Sequence, residues 1–372
     1  MRIFLPSAAE WLTDTQGNGE GLIAVSLLTE LVDRGHDVVA CVRGQELVGE
    51  PRFDIVEIGR GRVQSIDPFT YSREVARTLR SRGRRSFDVA HWLFPNCAPG
   101  FSISALEGLP LVVGPVVQPW PAARRWWPAG FAARRALGPW FARRQARLQA
   151  GAAAFLAVEV GARSQIPGVD DRRIHDVPFG VRVQAFVPAP LPRTPRILYL
   201  GTLEARKGVY DLLSSMRAVS AARPDVTLTI AGTGPEEQRM RDAAGRLGIA
   251  DAVEFAGHVP ASDVPTLLAR SSLLCLPSYG EPFGMVLLEA MAAGRAVVST
   301  RAGGPASIVV DGAGGALVDP GDVKALGLAL TTLLRDEAGL AAAGEFNRAR
   351  VEAEYSLESV VSRLERVYES IA

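Results

Sequence analysis

Leu273-Leu274-Cys275-Leu276-Pro277-Ser278-Tyr279-Gly280-Glu281-Pro282-Phe283-Gly284-Met285-Val286-Leu287-Leu288-Glu289-Ala290-Met291-Ala292-Ala293-Gly294 is the stretch whose reading decides the fold. Its short apolar opening predicts a buried strand over Leu273–Pro277. The apolar run over Gly284–Ala293 predicts a helix, and Ala296–Ser299 is again a strand. Strand, loop, helix and strand in that order build a parallel sheet covered by helices. Glu281 then lies in the loop after a strand. Phe283, Gly284 and Met285 stand where the helix begins.

The same alternation extends outward. Upstream, strands are expected at Arg196–Leu200, Thr227–Ala231 and Val253–Ala256. The helices between them are Tyr210–Arg223, Glu236–Leu247 and Ala261–Ala269, and another begins at Asp322. The N-terminal half repeats the scheme: strand Arg2–Pro6, loop Ser7–Gly21, helix Leu22–Arg34 and strand Val38–Val42, then apolar runs at Val89–Leu93, Leu109–Val117 and Ala152–Val158. Pro188, Pro190, Pro192 and Pro195 stiffen the segment between the halves and exclude helix there. The expectation is an α/β protein of two doubly wound, Rossmann-like domains facing each other across a cleft. Residues 1–187 form the first domain, 188–195 a linker and 196–354 the second domain. The amphipathic stretch 355–372 is a final helix with Leu357, Val360, Val361, Leu364, Val367, Tyr368 and Ile371 on one face. Ligands of such sheets bind beyond the carboxyl ends of strands, where loops lead into helices.

Composition narrows the class. A chain of 372 residues is long enough for two cores. Lys+Arg is 41 and Asp+Glu 40, so nucleic acid is not an expected partner. Nearly every cation is an arginine; Lys207 and Lys324 are the lysines. Cys41, Cys97 and Cys275 form no CxxC pair, so no zinc ribbon or disulfide framework is suggested. The opening MRIFLPSAAEW reads as a strand, not a signal peptide, and no apolar run is long enough to span a bilayer. These features read as a soluble, reduced, cytoplasmic protein.

Three groups of residues carry chemistry. Gly201-Thr202-Leu203-Glu204-Ala205-Arg206-Lys207-Gly208 follows a strand and precedes a helix. Its two adjacent cations suit a diphosphate: arginine offers a planar fork and lysine a point charge. They also suit a solvated helix start. In the second group, the free N–H groups at the start of the Gly284 helix make an anion site. Glu289 sits inside an apolar run, where a carboxylate needs partners. A ribose diol, an arginine or solvent would each supply them. The third group is Gly303-Gly304-Pro305 and Gly232-Thr233-Gly234-Pro235, which read equally as strand-to-helix turns.

The run from Arg196 to Asp322 resembles the C-terminal domain of GT-B glycosyltransferases of family 4, the group 1 glycosyl transferases. The matching text is ILYLGTLEARKG, LTIAGTGPEE, VEFAGHVP and LPSYGEPFGMVLLEAMAAGRAVVSTRAGGPASIVVDGAGGALVDPGD, with its E-x7-E spacing from Glu281 to Glu289. The resemblance implies a bacterial, retaining hexosyltransferase that uses a nucleotide diphospho-sugar, with front-face substitution and the departing phosphate taking the acceptor proton. It implies that Arg206, Lys207 and Glu281 are catalytic. Arg206 and Lys207 hold the diphosphate, while Glu281 and the amides of Phe283, Gly284 and Met285 meet the donor sugar and phosphate. Glu289 binds the ribose, Gly257 and Val259 lie near the base, and Gly201 belongs to the phosphate loop. Gly17 and Gly19, in Gly17-Asn18-Gly19-Glu20-Gly21, match the family's glycine-rich loop. No D-x-D occurs, so no metal and no other cofactor is expected. The final helix is expected to cross back to the first domain.

The acceptor side is less marked. Asp88-Val89-Ala90-His91 matches a family motif whose second histidine is Leu93 here. His91 is therefore a sugar- or acceptor-side candidate, or a packed strand-end residue. No acid occurs between Glu107 and Glu159, while Trp120, Arg124 and further arginines and tryptophans fill the interval up to Arg147. That stretch suits peripheral contact with an anionic inner-membrane face, an acceptor pocket, or ordinary packing. The acceptor is a hydroxyl of a saccharide, natural product or lipid-linked intermediate. Two other functions share the donor site: a GT-B-fold sugar-nucleotide 2-epimerase and a non-catalytic sugar-nucleotide-binding partner.

Overall fold

β1 (Arg2–Thr13) runs well past the expected end at Pro6. Pro6 cannot donate to a ladder, and the register with β2 (Asp37–Glu46) shifts between Leu5 and Ala9. The irregularity absorbs the proline, and pairing resumes with Ala9 opposite Val42 and Thr13 opposite Glu46. The first part of the expected loop Ser7–Gly21, up to Thr13, is thus strand. α1 (Gly19–Asp33) begins three residues before Leu22. The computed structural model describes residues 1–14, 19–58, 68–94, 102–106, 108–116, 143, 146–148 and 150–372.

The first unit holds the described residues up to Gly180 together with Leu357–Ala372. Its sheet continues with β3 (Asp54–Glu57), β4 (Val89–Trp92), β5 (Leu111–Val116), β6 (Ala154–Ala157) and β7 (Ile174–Asp176). The order is β3-β2-β1-β4-β5-β6-β7, and every pairing is parallel. Parallel strands are covered on both faces, which explains the continuous apolar runs of β4, β5 and β6. α2 (Pro68–Ser81) covers part of the sheet with Tyr71, Val75 and Leu79.

The second unit contains Val181–Ser356. Its strands are β8 (Arg196–Leu200), β9 (Thr227–Ala231), β10 (Val253–Gly257), β11 (Leu273–Leu276), β12 (Ala296–Thr300) and β13 (Gly315–Val318). The order is β10-β9-β8-β11-β12-β13, again all parallel. The helices are α3 (Val209–Ala222), α4 (Glu237–Arg246), α5 (Val264–Ala269), α6 (Met285–Ala292), α7 (Val323–Arg335) and α8 (Glu337–Arg350). The chain moves outward from β8 to β10, returns, and moves the other way from β11 to β13. The neighbours β8 and β11 therefore flank the switch point, where loops diverge and leave room for a ligand. In the first sheet β1 and β4 flank the equivalent point.

The division between units falls at Gly180 and Val181, and the expected linker 188–195 lies inside the second unit. Distant groups hold the segment there. Val181 N–H donates to Tyr355 O (2.9 Å), Arg348 Nη1 to Phe186 O (2.6 Å), and the fully buried Arg295 Nη2 to Ala189 O (2.8 Å). α9 (Leu357–Ile371) packs with α1 in the first unit. Arg34 joins them, with Nη1 2.9 Å from Glu365 Oε2 and Nη2 donating to Glu358 O at 2.7 Å.

Candidate active site

The loop after β8 is shaped by Gly208. It has φ +72° and lies so close to β11 that a Cβ there would stand 1.9 Å from Pro277 O. No residue but glycine fits this approach. The contact brings Arg206 and Lys207, on a 3₁₀ turn at Ala205–Lys207, against the loop after β11. Tyr279 N–H donates to Arg206 O at 2.9 Å, fastening the two loops backbone to backbone. Two of the sequence constellations, 74 residues apart, thus meet at the switch point.

Lys207 Nζ donates to Glu281 Oε2 at 2.7 Å. Both side chains are largely buried, 13% and 11% exposed, so the pair is shielded from screening by water. Ser278 Oγ donates to the same oxygen at 3.3 Å. Arg206 is held by Glu204, with Nε and Nη2 on its two carboxylate oxygens. That bond holds the Glu204 carboxyl below its usual range. Glu204 and Ser278 are the participants that sequence reasoning missed. Glu204 stood in the quoted motif two residues from Arg206; nothing marked Ser278 as a partner of Glu281.

Glu281 is fixed from the other side by β12. Gly303, at φ +74°, presses so closely that a Cβ would stand 2.1 Å from Glu281 O. Gly304 N–H donates to that carbonyl at 2.9 Å. These glycines therefore seat the loop that carries Glu281. Gly284, at φ +102°, is the N-cap of α6 and no side chain caps the helix. Its first amides are left for an external acceptor. The carboxylate stem of Glu281 lies beside this end: Cγ is 3.5 Å from the Cβ position of Gly284. Phe283 is buried and Met285 half-buried.

Glu289 lies on the second turn of α6, partly buried, and among the described residues no hydrogen bond or ion pair reaches its carboxylate. Burial pushes its carboxyl up from an ordinary 4.5 to about 7. Gly201, Gly257 and Val259 stand at the carboxyl ends of β8 and β10. Gly257 O is occupied by Gly232 N–H (2.7 Å).

In the first unit, Gly19 starts α1, while Gly17, Trp120 and Arg124 lie outside the described residues, as does most of the Trp120–Arg147 stretch. His91 is fully buried. Its Nε2–H donates to Gly114 O at 2.7 Å, and Nδ1 accepts from Tyr368 O–H at 2.5 Å. Burial lowers its pKa to about 4, so the ring is neutral. Both nitrogens are engaged within the fold. Leu93 is fully buried and lines an apolar cavity with His91, Ile23, Leu156 and Val360. Among the described residues no cluster of His, Cys, Asp or Glu is placed to hold a metal ion, and no helix is long and apolar enough to cross a membrane.

A family model described as "Glycosyl transferases group 1" matches residues 184–350, the unit that carries this site. The chain is 32% identical over 360 residues to the phosphatidyl-myo-inositol mannosyltransferase of Mycobacterium leprae, covering 91% of this chain and 89% of that one. A glycogen synthase of Mycobacterium tuberculosis is 35% identical, but over 48% of this chain and 43% of its own length. In structure the chain is similar to sucrose-phosphate synthase from Thermosynechococcus elongatus, with a TM-score of 0.78, 20% identity and coverage of 99% and 98%. It is likewise similar to Anabaena Alr3699/HepE in complex with UDP, with a TM-score of 0.78, 17% identity and 99% of both chains covered. The two parallel-sheet units, the match over 184–350 and the near full-length relative lead to one assignment: the chain belongs to the group 1 glycosyl transferases and has their GT-B fold.

Proposed function

We propose that the chain moves a hexosyl unit, with retention, from a nucleoside diphosphate sugar to a hydroxyl acceptor without a metal. The observation that carries this reading is the shielded Lys207–Glu281 pair at the switch point, beside the uncapped start of α6. Lys207 and the first α6 amides, both beside Glu281, suit a diphosphate, which Arg206 holds with them in this reading. Negative charge grows on the β-phosphate as the sugar leaves, and preorganised donors stabilise it there. Glu281, released from Lys207 as phosphate takes the ammonium, accepts hydroxyl protons of the sugar. Glu289 accepts from the ribose diol. The departing phosphate oxygen takes the acceptor proton as the new glycosidic bond forms, so no protein base is consumed.

Mannosyl is the first donor sugar to try, because the similar proteins include the Mycobacterium leprae enzyme and an MMP alpha-(1->4)-mannosyltransferase, 31% identical over 82% of this chain. UDP-glucose is the second, since the Anabaena protein was solved with UDP. The test is to incubate the purified chain with GDP-mannose or UDP-glucose and a panel of hydroxyl acceptors, following nucleoside diphosphate and the anomeric signal by NMR. The reading expects release of nucleoside diphosphate matched by a product of retained configuration. Conversion of the nucleotide sugar to an isomer without acceptor would replace it with the epimerase reading. Binding without turnover of any donor would replace it with the non-catalytic one.

A further inference from the structure

Glu281 meets two donors, and both reach the same oxygen. Lys207 Nζ lies 2.7 Å and Ser278 Oγ 3.3 Å from Oε2. Among the described residues no hydrogen bond reaches Oε1. A carboxylate accepts at both oxygens, so one held by Oε2 presents Oε1 to an incoming hydroxyl. Ser278 is fully buried, so water does not compete for its hydroxyl.

The main chain of this loop is held without that hydroxyl. From the end of β12, Ser299 Oγ donates to Leu276 O at 2.7 Å and Thr300 Oγ1 to Ser278 O at 2.5 Å. Tyr279 N–H reaches Arg206 O, and Glu281 O accepts from Gly304 N–H. The backbone from Leu276 to Glu281 is thus seated by other groups. What the Ser278 hydroxyl adds falls on the Glu281 side chain.

Resting on the transfer reading above, we propose that Ser278 is a positioning residue for the donor sugar. It keeps Oε2 of Glu281 in place when Lys207 moves to the diphosphate, so that Oε1 meets a sugar hydroxyl. The two donors differ in what draws them away. Lys207 carries a compact charge on a flexible stem and follows phosphate. Ser278 has a short stem, stands three residues before Glu281 in the same loop, and is closed to the ligand. Without its hydroxyl, the diphosphate complex would leave Oε2 unpartnered in a largely buried setting, and the carboxylate would turn toward another donor. The sugar, not the diphosphate, then loses its acceptor.

The experiment compares affinities by calorimetric titration of UDP, UDP-glucose, GDP and GDP-mannose into the parent and Ser278→Ala, with thermal unfolding to check folding. The alanine variant should bind the nucleoside diphosphate within about twofold of the parent, while the ratio of sugar-nucleotide to diphosphate affinity falls about tenfold, the scale of one hydrogen bond to a charged group. Ser278→Thr keeps the hydroxyl and should hold that ratio within about threefold of the parent. If the alanine variant does not fold, Ser278→Cys, a weak donor on the same stem, carries the same comparison. An unchanged ratio in the folded variant would overturn the proposal and leave the donor reading standing. So would an equal loss for diphosphate and sugar nucleotide, or a folded threonine variant that loses the ratio as alanine does. A parent that binds neither sugar nucleotide would overturn both.

Discussion

A carboxylate on an apolar helix keeps its charge only with partners, and Glu289 has none among the described residues. Its carboxyl titrates near 7 where 4.5 is ordinary, because burial disfavours the anion. The sign follows directly. Above pH 7 the fold bears the cost of the ionised group; that cost fades as pH falls toward 4.5, so acidification stabilises this site. A ribose diol reverses the preference, since its hydroxyls donate to the charged form. Nucleotide affinity should therefore fall as pH drops below 7, approaching tenfold per unit, and be nearly flat above it. Glu289→Gln should bind more weakly at pH 8 and lose the pH dependence; calorimetric titration across pH 5.5 to 8 checks both, at roughly these limits. At this scale the sequence disclosed the residues with unusual settings: a rare lysine, a carboxylate in an apolar run, a glutamate after a strand. It did not disclose Ser278 or the use of Glu204, because hydrogen bonds between loops depend on a folded distance that no spacing encodes. His91 was legible as a strand-end residue, but its enclosure by Tyr368 depends on α9, far away in the chain.

The elements themselves were mostly legible because parallel strands are buried on both faces and read as unbroken apolar runs. β8 and β9 fall at Arg196–Leu200 and Thr227–Ala231, where the pattern puts them. β1 was misread because Pro6 looked like a terminator, while the register shift lets the strand continue. The 188–195 run was misread as a linker because the arginines that hold the segment around it, Arg295 and Arg348, lie more than a hundred residues away. Loop shape rests on glycines at close approaches. Gly208→Ala would force a methyl to 1.9 Å from Pro277 O at φ +72°, so the loops after β8 and β11 must part. The expected loss is about 2 kcal/mol or more, a fall of roughly 5 °C in Tm, together with weaker nucleotide binding. A melting curve within about 1 °C of the parent would show that the two loops are not clamped there.

Across the molecule, each parallel sheet has one switch point, and the second sheet concentrates the site at its own. β8 and β11 lie side by side although 72 residues separate the end of one from the start of the other. Their neighbouring ends account for the meeting of Lys207 and Glu281. The C-terminal helix returns to the first unit, where Arg34 joins residues 331 positions apart. That return was legible as an apolar stripe; its anchor was not, since Arg34 looks like any surface arginine in sequence. The account as a whole requires that the Lys207 ammonium exchange Glu281 for a diphosphate. The direct measurement is calorimetric titration of UDP and GDP into the parent and into Lys207→Ala, with thermal unfolding to check folding of the variant. At least one nucleotide should bind the parent, and the folded variant should bind it about tenfold to a hundredfold more weakly, as expected for one lost charge-assisted contact. Equal affinity in parent and variant, or no binding of either nucleotide by the parent, would contradict the account.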